Sequence, residues 1–393
     1  MAAIENFPTG AKKNKSELNF KIFLHRMKSF MVKFIIVAVI LIAVISFIIY
    51  QKNLTFSEIT VEKSIEKPSL STTSYIDNRG TLITYSKDGM SCINNKGTSV
   101  WSMTYDMQDP IVRRSDFYVG VCDYNGHIIR VIDMQGNKTT IDTKLPIRDF
   151  VICKEGRVGV IIDDATNSWV NLYDVSGTKY SEIKATMSQT GYPMSIAVSD
   201  EVLAVSYLYV DSESSESRVS FYNFGGVGEN VPDKIVSNYG YSDVIVPTIE
   251  YLDKESIFAV ADDRILFYGG EKQPKSIKDS FITDKIIGIY NGYTTVALVY
   301  YDNSGEKKYR MDVYNKVGDM QYSYRFNMDF KDISVRDEQI LIYNESECIL
   351  VGKDGREKFQ GAFEEPVKYV GTTDSLKKYL FVTENAIETV KFE

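Results

Sequence analysis

From residue 53 to the C-terminus the chain is written in short apolar runs that read as strands. Examples are TLITYS (81–86), DFYVGVC (116–122), RVGVII (157–162), EVLAVSYLYV (201–210) and TTVALVYY (294–301). Each run is rich in β-branched and aromatic residues and is bounded by Gly, Asn or Asp, the combination that favours a pleated element ending in a turn. No window in this stretch carries the periodicity of a long amphipathic helix. The expected fold class is all-β.

The runs are organised by a repeat. An apolar strand ends in Ile or Tyr, followed by Asn or Asp, two free positions and Gly. The copies are Ile93-Asn94-x-x-Gly97, Ile132-Asp133-x-x-Gly136, Tyr173-Asp174-x-x-Gly177, Tyr222-Asn223-x-x-Gly226 and Tyr314-Asn315-x-x-Gly318, with weaker ones ending at Gly270 and Gly355. Asn or Asp at the first turn position accepts a backbone N–H, and Gly at the fourth accepts a positive φ. The mean interval from Gly97 to Gly355 is about 43 residues, the length of a four-stranded propeller blade. Units are expected over 72–106, 107–145, 146–190, 191–240, 241–281, 282–328 and 329–365.

The last stretch, 366–393, offers only three strands (KYVGT, KYLFVT and AIETVKF). A ring must close, and an unpaired edge invites aggregation. The segment FSEITVEKSI (56–65) is unassigned and is expected to supply the missing strand. The layout is then a β-propeller over 72–393, eight-bladed, with seven blades the alternative if 191–281 divides differently. The linker 51–71 carries the closing strand.

The N-terminal part is different. Phe34–Tyr50 (FIIVAVILIAVISFIIY) has Ser46 as its one clearly polar residue. Residues 1–33 carry seven bases against two acids, leaving 38 bases and 51 acids for the rest out of 45 and 53. Met31 and Val32 extend the run past Lys33, whose stem can snorkel, so its length suits a span of ~30 Å. No small-residue cleavage site follows it, and nothing helical elsewhere offers to bury it. The expectation is a transmembrane signal-anchor at 34–50, with a basic cytoplasmic tail (1–33) and the propeller extracytoplasmic by the positive-inside rule.

Composition adds mainly exclusions. His25 and His127 are the only histidines, and His127 (DYNGHIIRV) sits after a turn at a strand entry. Neither a nucleophile elbow nor metal-ligand spacing with His or Cys occurs. Asp163-Asp164 and Asp262-Asp263 lack calcium-loop spacing and read as hairpin ends. Cys92, Cys122, Cys153 and Cys348 fall in four different units and read as free thiols packed between blades, with disulfides left open. The acidic external part disfavours nucleic acid. Tyr209–Arg218 (YVDSESSESR) reads as a long polar hairpin. No residue is singled out as catalytic, cofactor-binding or metal-binding, and no cofactor is expected.

The repeated turn, Trp101 in GTSVW and the closing arrangement resemble the quinoprotein-like and WD40-like propeller superfamily. The full layout looks like a family of single-pass, membrane-anchored propellers from Gram-positive, clostridia-type bacteria, which has no assigned activity. The chain lacks the adjacent-Cys pair and recurrent tryptophans that quinoprotein dehydrogenase chemistry implies, so the resemblance carries fold and not reaction. The expected function is a non-catalytic protein-interaction platform in the cell envelope, with an envelope or membrane protein as partner. The alternatives are a ligand- or glycan-sensing receptor with a small molecule in the central funnel, and a carboxylate-based hydrolase.

Overall fold

The computed structural model describes residues 31–47, 50, 54–66, 74–78, 80–94, 96–164, 166–210, 214–373, 375 and 377–393. They belong to two compact units that divide between Thr55 and Phe56. The first holds a helix over 31–47 with its apolar side chains exposed. Among the described residues no helix is long and apolar enough to cross a membrane. The expected span reaches residue 50, and its residues 48 and 49 lie outside the described residues, as does residues 1–30 of the basic tail.

The second unit is eight four-stranded antiparallel sheets. In chain order, blades 1 to 7 cover 74–104, 110–142, 147–185, 192–242, 248–281, 286–326 and 332–362. Blade 8 takes three strands from 369–392 and its fourth from the other end of the unit, Ile59–Glu66. That strand runs antiparallel to Ala386–Phe392 in a register that pairs Ile59 with Phe392 and Ile65 with Ile387. Around it, the Phe56 N–H donates to Lys358 O (2.8 Å), and Phe56 packs beside Phe392.

Eight apolar clusters fill the spaces between neighbouring blades, one for each pair. This explains the two kinds of run in the sequence. Second strands lie between blades on both faces and are buried nearly throughout, as in Ser256–Val260 (SIFAV). Fourth strands lie at the rim and alternate, as in Lys179–Ala185 (KYSEIKA) and Met320–Phe326 (MQYSYRF).

The repeated turn joins the third and fourth strands. The Asn94 Oδ1 accepts from the Lys96 and Thr98 N–H groups, and Gly97 N–H closes on Asn94 O. Asp133, Asp174 and Asn315 make the same bonds, and Gly97, Gly136, Gly177, Gly318 and Gly355 all have positive φ. The copy at Asn223 differs. Its Oδ1 accepts from Gly225 and Gly228 instead, Gly226 has no positive φ, and the loop runs on through a short 3-10 turn at Pro232–Lys234. In the 209–218 hairpin, 211–213 lie outside the described residues. Strand pairing continues to Val210↔Ser215, and Arg218 makes a bidentate bond to Glu216 (3.0 and 2.9 Å).

Candidate functional site

Antiparallel blades have two unlike ends. Turns between strands one and two, and between three and four, fall on one face, here the turn face. Turns between strands two and three share the opposite, link face with the connections from blade to blade. The first strands touch their counterparts in adjacent blades and so surround the ring axis, for example Pro110–Arg114 with Ile147–Ile152 and Tyr192–Val198 with Thr248–Tyr251. The axial channel they line is the candidate site.

Opposite charges meet along it. Arg113 of blade 2 donates from Nη2 to Asp149 Oδ1 of blade 3 at 2.8 Å. Nearer the link face, Arg148 Nη1 donates to Asp163 Oδ2 at 2.7 Å, and the Tyr192 hydroxyl donates to the same oxygen at 3.2 Å. The Arg148 guanidinium lies 5.1 Å from the Tyr192 ring centre, within cation–π range. A cavity of about 260 Å³ opens among these blades, with Arg113, Arg148, Asp149 and Tyr124 as its polar lining.

Across the axis, Glu250 of blade 5 is exposed to solvent yet ringed by protein. Desolvation pushes its carboxyl above the usual range; Arg113 opposes the shift, Asp149 adds to it, and Asn291 of blade 6 hydrogen-bonds the carboxylate. Asp332 of blade 7 is also held up by desolvation, against a backbone bond from Ile333, a bond from Tyr343 and the charge of Lys331. The channel therefore holds two carboxyls that resist ionisation, each answering to its own neighbours.

At the turn face the ring is tied across its middle. Blades 2 and 6 are diametrically opposed in a ring of eight, yet the Tyr293 hydroxyl of blade 6 donates to Asp116 Oδ1 of blade 2 at 2.9 Å. Their two turns meet over the axis. Asn78 Nδ2 donates to Ser115 O (3.0 Å), Thr294 N and Oγ1 donate to Asp337 Oδ1 (2.9 and 2.7 Å), and Arg336 donates to Thr373 O and Lys378 O (2.9 Å each). These bonds join neighbouring blades around the same end.

The family model described as Family of unknown function (DUF5711) matches residues 52–392, the whole ring with its closing strand. The chain belongs to DUF5711. No curated protein matches it in sequence. In fold, this DUF5711 chain is similar to apo AztD from Citrobacter koseri, with a TM-score of 0.50 at 12% identity over 75% of this chain and 86% of that one. BamB from Moraxella catarrhalis gives 0.47 at 10% identity over 85% and 100%, and Hsv2 from Kluyveromyces lactis gives 0.47 at 10% over 75% and 98%. At these identities the likeness is one of fold.

Of the residues weighed from the DUF5711 sequence, Asp163 bonds the channel residues Arg148 and Tyr192, and the others lie apart from the channel. His127 is on the link face, its Nδ1 3.0 Å from Asp142 Oδ1. Asp142 also bonds Lys144, and the two bonds bring its carboxyl down to about 2. Asp164 caps its own turn through the Thr166 and Asn167 N–H groups, while Asp163 turns to Arg148 and Tyr192. Asp262 accepts from Ile245 N–H, and Asp263 makes a bidentate pair with Arg264. Among the described residues, no three His, Cys, Asp or Glu side chains gather as metal ligands do. The four cysteines are free and buried in separate inter-blade clusters, and burial pushes the thiols of Cys122, Cys153 and Cys348 up to about 12.

Sequence reasoning missed Arg113, Asp149, Glu250, Asn291, Asp116 and Tyr293. Their common signal is position, since each lies on a first strand or the turn after it. A charged residue inside a first strand was the available clue, and it becomes readable once blades are counted.

Proposed function

We propose that this chain is a membrane-held, non-catalytic recognition ring whose link face docks a protein partner with a basic, partly apolar surface. The observation that carries the reading is the character of that face. Among the described residues its connecting segments hold 15 acids against 7 bases, whereas the turn-face connectors within the blades hold 14 against 11. Exposed large apolar side chains stand among those acids on blades 2 to 6: Tyr124, Met187, Val210, Ile245, Phe281 and Tyr301. The turn face offers the valines 175, 227 and 317, Met320 at the start of a fourth strand, and the Phe117 and Tyr293 side chains of the axial turns. Apolar anchors inside a charged surround are what a specific interface needs, and net negative charge selects a basic partner and repels anionic lipid.

The membrane part of the proposal rests on sequence. Seventeen nearly uninterrupted apolar residues follow a base-rich tail, and a helix apolar all round requires lipid or a partner. The non-catalytic part also rests on sequence, where neither a nucleophile elbow nor His or Cys metal-ligand spacing occurs.

Photo-crosslinking in intact cells tests the docking face. A photoreactive residue replacing Phe281 or Tyr301 should give a discrete adduct that weakens as salt rises, and one replacing Val175 or Val317 should not. Equal adducts from both faces, or none from the link face, would refute the assignment.

A further inference from the structure

We propose that the link-face end of the axial channel binds a small zwitterion, a free amino acid or a dipeptide, between the Arg113–Asp149 and Arg148–Asp163 pairs. The inference does not rest on the docking proposal, although the cavity opens toward the same face and shares Tyr124 with it.

Charge balance and spare bonding capacity carry the argument. Two guanidinium groups and two carboxylates meet here, Arg113 and Asp149 across blades 2 and 3 and Arg148 and Asp163 within blade 3, all four side chains between about a quarter and two-fifths exposed. Arg113 uses Nη2 on Asp149 and Nη1 on Val112 O, and Arg148 uses Nη1 on Asp163, which leaves several of the five N–H donors of each guanidinium unused. Asp149 Oδ1 accepts from Arg113 and from the Phe150 N–H, and among the described residues Oδ2 accepts from none. Asp163 holds Arg148 and Tyr192 from behind the cavity lining through Oδ2, so Asp149 Oδ2 is the acceptor the cavity itself presents. The site therefore offers donors and acceptors together.

A lone anion bound to the guanidiniums would be pressed against the carboxylates, and a lone cation would meet the reverse problem. A ligand carrying both signs satisfies both halves, its carboxylate on Arg113 and Arg148 and its ammonium on Asp149. The other half of the lining is Ile111, Ile161, Pro193 and Met194, a surface for a short apolar side chain. At about 260 Å³ the cavity lies just below the ~300–1,000 Å³ usual for drug-sized ligands, which limits the guest to one or two residues.

Calorimetric titration of the full chain in detergent micelles tests this with glycine, L-leucine and L-alanyl-L-leucine as probes. N-acetyl-leucine and leucinamide, each missing one charge, are the controls. Saturable binding of leucine or the dipeptide is expected, with both blocked forms at least tenfold weaker. Asp149→Asn and Arg148→Gln should each weaken binding at least tenfold while leaving unliganded melting unchanged. If either variant melts early, the blocked ligands on the unaltered chain decide alone. Absence of saturable heat for all three probes in the millimolar range overturns the proposal, as does equal binding of a blocked form.

Discussion

Alanine at Gly97 probes whether the ring is closed by its N-terminal strand. Gly97 ends the repeated turn of blade 1 at φ +81°, and a Cβ there would stand 2.3 Å from Ile65 Cγ2 on the closing strand. Two costs add. A side chain in the left-handed region costs roughly 1–2 kcal/mol, and forcing a methyl into a packed seam typically costs about 1–3 kcal/mol more. Gly305 separates them: its φ is +77° with nothing within 4 Å, so Gly305→Ala carries strain alone. Gly226 is equally open and lies outside the left-handed region, so Gly226→Ala should stay within about 0.5 kcal/mol of the parent.

The expected losses are then about zero, 1–2 and 2–5 kcal/mol for Gly226→Ala, Gly305→Ala and Gly97→Ala. Urea unfolding of the full chain in detergent, followed by far-UV circular dichroism, reads all three. A double-mutant cycle sharpens the test, since Ile65→Ala removes the atom that the new methyl meets. In that background Gly97→Ala should cost no more than Gly305→Ala, a coupling of about 1–3 kcal/mol. If Gly97→Ala is no worse than Gly305→Ala, or the coupling is zero, the closing strand does not lie against blade 1.

Three further outcomes follow from the same structure. Glu250 has a raised native pKa, so the native state holds its proton more tightly than the unfolded chain, and that stabilisation is lost as pH rises through the native pKa. Glu250→Gln should therefore melt above the parent at about pH 8 and with it near pH 4, below the ~4.3 of a free glutamate; a lower melting point at the alkaline end contradicts the assignment. Tyr293→Phe removes the bond to Asp116, costs roughly 0.5–1.5 kcal/mol at most, and should speed hydrogen exchange at 115–118 and 292–295, with unchanged exchange as the refuting result. Maleimide at neutral pH should leave all four buried cysteines unmodified until denaturant is added, because the thiolate is the reacting form; stoichiometric labelling of the native chain would show otherwise.

The blades were legible because their chemistry is local. Asn94, Asp133, Asp174 and Asn315 each fix a turn with side-chain bonds to residues two and four positions on, so period and phase stand in the sequence. The Asn223 copy misled because glycines at 225, 226 and 228 fit several turns, and only contacts with distant strands select one. The channel was illegible for the opposite reason. Arg113 meets Asp149 across 36 positions and Tyr293 meets Asp116 across 177, pairs that no local spacing encodes. Strand count predicts that a ring forms, and ring order then determines which residues face one another.

Closure itself is where the apolar packing among the described residues is thinnest. Among the described residues the seam between blades 8 and 1 buries Leu82, Ile93, Leu380, Val382 and Ile387, with Tyr75 and Tyr369 partly buried against them, and thirteen side chains are buried between blades 4 and 5. Polar bonds compensate there. Tyr369 of blade 8 donates to Asp77 Oδ1 of blade 1 at 2.6 Å and accepts from the Asp77 N–H at 3.0 Å, Thr372 donates to Asp77 Oδ2, and the Tyr75 and Tyr369 rings stack at 5.8 Å. Apolar area is non-directional, whereas these bonds hold only in one register. A seam joining residues nearly 300 positions apart benefits from that difference, because many misaligned closures would bury similar area but only one satisfies a buried Asp77. The closing strand adds the same kind of constraint from outside, through its seven-residue register with Ala386–Phe392 and the contact of Ile65 with Gly97. Blade 8 is thus defined by both ends of the ring domain at once, so truncation at either end should open the ring at this seam and leave the packing between blades 4 and 5 in place.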